Sequence, residues 1–95
     1  MNEYVVAFNT NALPPDGSFQ RSFLAQAEMT YQIHDEPKDF AVYEGLYGGV
    51  LLYYFSPVAA ELCKTLIDNY SGVVMENSLP DGAVLRVGKE SSGEV

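Results

Sequence analysis

The stretch Phe19-Gln-Arg-Ser-Phe-Leu-Ala-Gln-Ala-Glu-Met-Thr-Tyr-Gln-Ile33 decides the fold, because it supports two secondary structures. From Ala25 the residues alternate. Ala25, Ala27, Met29, Tyr31 and Ile33 are apolar, and Gln26, Glu28, Thr30 and Gln32 are polar. Strict alternation puts every second side chain on one face of a strand. The residue types argue the other way, since Leu, Ala, Gln, Glu and Met favour helix. A helix sets Phe23, Ala27 and Tyr31 in one row and Ala25, Met29 and Ile33 in another, about 200° round the axis. Neither face is then cleanly apolar. Periodicity is the primary signal, so the sequence predicts a strand here.

The flanks supply the other elements. Residues 3–8, "EYVVAF", are β-branched and aromatic and predict a strand; "NTNALPPDGS", residues 9–18, predicts a loop ending in a turn. After the polar loop "HDEPKD", residues 34–39, the runs "FAVYE" (40–44) and "VLLYYF" (50–55) predict two strands around Gly45-Leu-Tyr-Gly-Gly49. Ser56 then suits a helix cap and Pro57 the first helical position. Val58, Leu62, Leu66 and Tyr70, with Cys63 and Ile67, form one apolar stripe, and Gly72 supplies a left-handed stop. Beyond it, "VVMEN" (73–77) and "AVLRVG" (83–88) predict a second hairpin closed by "SLPDG".

These elements give an α+β fold: an antiparallel sheet of five or six strands with one amphipathic helix, residues 57–71, on one face. With residues 19–33 helical instead, the order becomes the ferredoxin-like β-α-β-β-α-β. A chain of 95 residues fits one domain, placed at 1–89, with a polar tail at 90–95.

Charge narrows the partners. Thirteen acidic residues against five basic ones give a net charge of −8. Arg21, Lys38, Lys64, Arg86 and Lys89 are scattered along the chain, so phosphate backbones and anionic membranes have no basic patch to meet. The single cysteine, Cys63, excludes an intrachain disulfide and suits a reducing compartment. The first residues lack a basic signal-peptide region, and the longest apolar run, Val50 to Phe55, is too short to span a bilayer. A cytoplasmic location is the expectation.

Chemical motifs are sparse. The glycines of "YEGLYGGVLLYYF", residues 43–55, lead into a strand rather than a helix N-terminus, so they read as a turn and not a phosphate loop. His34, Asp35, Glu36 and Asp39 miss the ligand sets of zinc and calcium sites. Cys63 sits on the apolar stripe, where a thiol is a small core residue. No cofactor is expected, and no catalytic constellation singles out an enzyme.

The tyrosines and acids carry the remaining signal. Strands 40–44 and 50–55 bear large apolar groups on both faces, which one helix cannot cover. Tyrosine is enriched where proteins meet proteins. The expected function is therefore a non-enzymatic, acidic protein-binding module, an inhibitor or adaptor. It would engage a basic partner protein through Tyr43, Tyr47, Tyr53, Asp35, Glu36, Asp39 and Glu44, and could mimic nucleic acid in a basic groove. The alternatives are a small-molecule or enzymatic pocket formed between subunits of a homo-oligomer, and a structural subunit of a larger assembly.

Overall fold

Residues 18–33 are helical in the computed structural model, which describes residues 2–70 and 74–89. The helix, α1 (Ser18–Ile33), presents the row Phe19, Phe23, Ala27 and Tyr31 to the sheet, with Phe23 and Ala27 fully buried. The Phe23 ring lies 4.6 Å from that of Tyr53 and 5.2 Å from that of Tyr70, centroid to centroid. The strand expected over residues 19–33 is thus corrected. Its premise was that a helix would strand one apolar row in solvent, and the helix does so: Met29 and Ile33 stay 56% and 72% exposed. Helix-favouring composition, plus aromatic packing of the other row, outweighs the alternation.

The ends of α1 explain two of its neighbours. Asp16 Oδ1 accepts from the Ser18 N–H at 2.9 Å, satisfying a first-turn amide. At the other end Asp35 N–H donates to Gln32 O and Glu36 N–H to Tyr31 O, a Schellman stop with Asp35 at φ +63°. Part of the acidic loop is therefore a helix terminator.

The strands are β1 (Asn2–Asn9), β2 (Ala41–Tyr47), β3 (Val50–Phe55), β4 (Val74–Ser78) and β5 (Val84–Gly88). They form one sheet in the order β4-β1-β3-β2-β5, with every pairing antiparallel. The α+β class and the antiparallel sheet expected from the sequence are present. Up to β4 the elements follow the β-α-β-β-α-β order. Gly48 and Gly49, at φ +57° and +80°, close the β2–β3 hairpin as a two-residue turn.

The single helix expected at 57–71 is two: α2 (Pro57–Leu62) and α3 (Lys64–Tyr70), offset at Cys63. Cys63 adopts φ −98° and ψ 19° while its N–H still bonds Ala59 O. Ala59, Cys63, Leu66 and Ile67 face the core; Val58, expected there, is only half-buried. The three helices therefore cover one face of the sheet, against Val6, Val42, Tyr53 and Phe55.

The hairpin expected at 73–88 is also corrected, because β4 and β5 occupy opposite edges. The link between them contributes Leu79 and Ala83 to a cluster with Val5, Ala41, Tyr43 and Tyr54 on the second face. A short connection that crosses a sheet face buries apolar side chains without a helix, which the turn chemistry of "LPDG" did not reveal.

Candidate functional site

Two adjacent pairings, Val6 with Tyr53 and Tyr53 with Glu44, place a carboxylate on the helix-covered face of the sheet. An acid there needs partners. Tyr53, itself fully buried, donates its hydroxyl to Glu44 Oε2 at 2.5 Å. Arg86, on the neighbouring β5, reaches Glu44 Oε1 at 3.3 Å; a β-bulge between Val42 and Tyr43 shifts the register just there. Burial, and then the hydrogen bond to Glu44, push the Tyr53 hydroxyl well above the ordinary tyrosine pKa of 10.0, so it stays protonated and donates to the carboxylate.

Glu44 opens onto a recess of about 500 Å³. Thr10, Gly17, Gln20 and Gly82 line it from the loops and α1, Glu44 and Arg86 from the sheet, and Leu46, Leu51 and Val84 give it apolar walls. Thr10 is fixed by the hairpin turn: its N–H and hydroxyl both donate to Gly49 O, at 3.0 and 2.7 Å. Gln20 Oε1 is shielded from solvent and accepts no hydrogen bond. The two Pro-Asp-Gly turns of the sequence, 15–17 and 80–82, meet here. Gly17 and Gly82, both with left-handed φ, line the same recess, so each turn brings an aspartate to its vicinity. The Ser18 N–H holds the Asp16 carboxyl below its usual pKa.

Around this recess the surface is apolar. Leu46 and Val84 are 64% and 54% exposed on its walls, and Tyr47 and Leu85 are partly exposed on the opposite face of the same strands. The Tyr47 ring lies over Gly45, where an added Cβ would come within 2.8 Å of Tyr47 Cε2, and its hydroxyl donates to Asp81 O at 3.4 Å. Glycine at 45 thus leaves room for a flat aromatic surface beside the recess.

The residues expected to form one binding surface are divided. Glu44 and Tyr47 lie at this corner. Tyr53 is beneath it, reaching the surface only through Glu44. Tyr43 is buried on the second face with its hydroxyl unpartnered, so it offers no surface to a partner. Asp35, Glu36 and Asp39 precede the start of β2, about 20 Å along the strand from Tyr47 by strand rise. Asp39 is turned inward at Oδ1, and its carbonyl accepts from Ser56 Oγ at 2.7 Å. Sequence reasoning missed Thr10, Gln20, Leu46, Val84 and Arg86. A signal for Gln20, Val84 and Arg86 is the Pro-Asp-Gly turn that occurs twice, at 15–17 and 80–82, and each time leads into the element that carries them.

Among the described residues no group of three His, Cys, Asp or Glu side chains is gathered that could hold a metal ion. Nor is any helix among them long and apolar enough to cross a membrane. No family model, curated protein or solved structure matches the chain.

Proposed function

We propose that the chain is a non-enzymatic binding domain, an inhibitor or adaptor, that engages a basic partner protein through the corner formed by Glu44, Leu46, Tyr47, Val84 and Leu85. The observation that carries this reading is the exposure of four large apolar side chains at one end of β2 and β5: Leu46 and Val84 wall the recess beside Glu44, and Tyr47 and Leu85 lie on the other face of the same two strands. Apolar and aromatic groups inside a polar rim are the composition of a protein-binding patch. The net charge of −8 sets the sign of the partner and speeds encounter with it. Occupation of a nucleic-acid groove in that partner is one form the same charge complementarity takes.

Immobilised chain exposed to a lysate of the source organism, eluted with rising salt, tests the reading. A stoichiometric basic protein should elute at a few hundred millimolar salt, as surface charge pairs are screened. Leu46→Asp and Val84→Asp variants should lose that protein. Retention by both variants, or capture of nothing but the chain itself, overturns the proposed surface.

A further inference from the structure

Helix α1 is apolar on two sides. Phe23, Ala27 and Tyr31 pack on the core, while Ala25, Met29 and Ile33 form a second row, spaced one helical turn apart, in solvent. A surface helix ordinarily carries one apolar stripe and a polar opposite face, so a second apolar row is the pattern of a helix covered twice. Beside the outer row lies a groove of about 220 Å³, to which α1 contributes Gln26, Met29, Thr30 and Ile33 and α3 contributes Thr65, Leu66 and Asn69. Two of its polar side chains are already engaged within the chain. Gln26 Nε2 donates to the Tyr70 hydroxyl at 2.9 Å, and Thr30 Oγ1 donates to Gln26 O at 3.0 Å.

Shape and charge together name the occupant. A ridge and a groove stand side by side on this surface, so a twofold axis beside Met29 lets the ridge of each copy enter the groove of the other, the isologous arrangement of a symmetric dimer. Methionine, unbranched and flexible, fills irregular gaps of this kind. No residue lining the groove is charged, in a chain of net charge −8. A basic protein finds no charge complementarity there. Two like-charged copies repel least where no charge faces them. We infer that the α1–α3 groove is a self-association surface, on which a second copy of the chain seats its Met29 and Ile33. The groove shares no residue with the corner at Glu44, Leu46 and Val84, so the inference goes beyond the partner-binding reading and does not depend on it. A contact built on one helix crossing is smaller than the roughly 800 Å² per partner of a standard interface, so the dimer is reversible.

Sedimentation of the full chain from about 10 µM to about 1 mM, the range of weak association, tests the surface. The average mass should rise from monomer toward dimer. Added salt should strengthen the association, since it screens repulsion between two acidic copies, whereas it releases the basic partner. Met29→Asp and Ile33→Asp change exposed side chains and should keep the melting temperature, yet each should weaken dimerisation by at least about tenfold by setting like charges in the contact. Leu46→Asp adds the same charge at the other surface and should leave the dimer intact while losing the basic partner. A monomer at every concentration, dissociation by salt, or a dimer indifferent to both α1 variants overturns the proposal. Loss of the basic partner instead of the dimer in Met29→Asp also overturns it, by assigning the groove to that partner. Retention of the partner by Leu46→Asp, with both α1 variants monomeric, would remove the partner surface and leave the dimer standing.

Discussion

The hydroxyl of Tyr53 donates a 2.5 Å hydrogen bond to the carboxylate of Glu44, the residue paired with it across β2 and β3. Glu44 keeps Arg86 as a second partner, whereas the Tyr53 hydroxyl makes no other hydrogen bond among the described residues. Tyr53→Phe should therefore destabilise the chain by about 1–2 kcal/mol, the range for a partly buried bond to a charged acceptor. It should also change the alkaline limb of the stability curve. The folded-state pKa of Tyr53 lies above its ordinary value of 10.0. Its contribution is full below pH 10 and is lost as the unfolded chain ionises above it. Melting temperatures at pH 8, 10 and 11 should fall more steeply for the native chain than for the Phe variant. Some slope should persist in both, because burial also raises Tyr54. Parallel curves would mean that the Tyr53 hydroxyl is equally free to ionise in both states.

Ser56 ties three elements with one oxygen. Its Oγ accepts the N–H of Ala59 at the start of α2 and the N–H of Ala41 at the start of β2, and donates to Asp39 O. The residue is 8% exposed, so water does not readily replace these bonds. Ser56→Ala should cost about 2 kcal/mol, a lost cap plus buried groups left unpaired. In a chain of this size that lowers the melting temperature by roughly 10 °C. A fall of under about 2 °C would show the three bonds to be nearly neutral against water.

The Ser56–Pro57 helix start was legible because cap chemistry is local, and so was the Gly48–Gly49 turn. What the sequence concealed depends on contacts distant along the chain. Ala25, Met29 and Ile33 mimic a strand because nothing in the sequence says that an apolar row can remain in solvent, as Met29 and Ile33 do. The placement of β5 beside β2 was equally hidden, since "SLPDG" is as good a hairpin turn as it is a crossing. The candidate site inherits both errors. Gln20 belongs to α1 and Val84 and Arg86 to β5, so a reading that misplaces those elements cannot bring them to Glu44. Tyr43 and Tyr53 looked like surface because one helix covers one face; a second helix and a crossing link cover the rest.

Cys63, at the offset between α2 and α3, is buried, and burial pushes its thiol from 9.0 up to about 11. The thiolate is the nucleophile, so the native thiol should resist disulfide reagents at neutral pH. Reaction with 5,5′-dithiobis(2-nitrobenzoate) should be slow in buffer and complete at once in denaturant. The folded-state pKa is raised, so the associated stability is full below pH 9 and declines between about pH 9 and 11. Cys63→Ala should lose this part of the alkaline decline while gaining a cavity cost. Immediate stoichiometric labelling of the native chain would show that the α2–α3 junction opens readily.

Gly88 ends β5 at φ +80°, and a Cβ there would lie 2.1 Å from the carbonyl oxygen of Phe40, itself bonded to the Lys89 N–H. Backbone cannot move aside as a flexible side chain can. Gly48, at φ +57° in the hairpin turn, has no atom within 4 Å of the same position. Both substitutions with alanine incur the left-handed penalty of roughly 1–2 kcal/mol. Only Gly88→Ala adds a steric collision, which should separate β5 from the start of β2 and carry Arg86 away from Glu44. Denaturant titrations of the two variants isolate that difference. Gly48→Ala should shift the midpoint modestly, and Gly88→Ala should lose at least about 2 kcal/mol more, the scale of forced overpacking. Equal losses would mean that β5 relaxes around the new methyl group without giving up its place in the sheet.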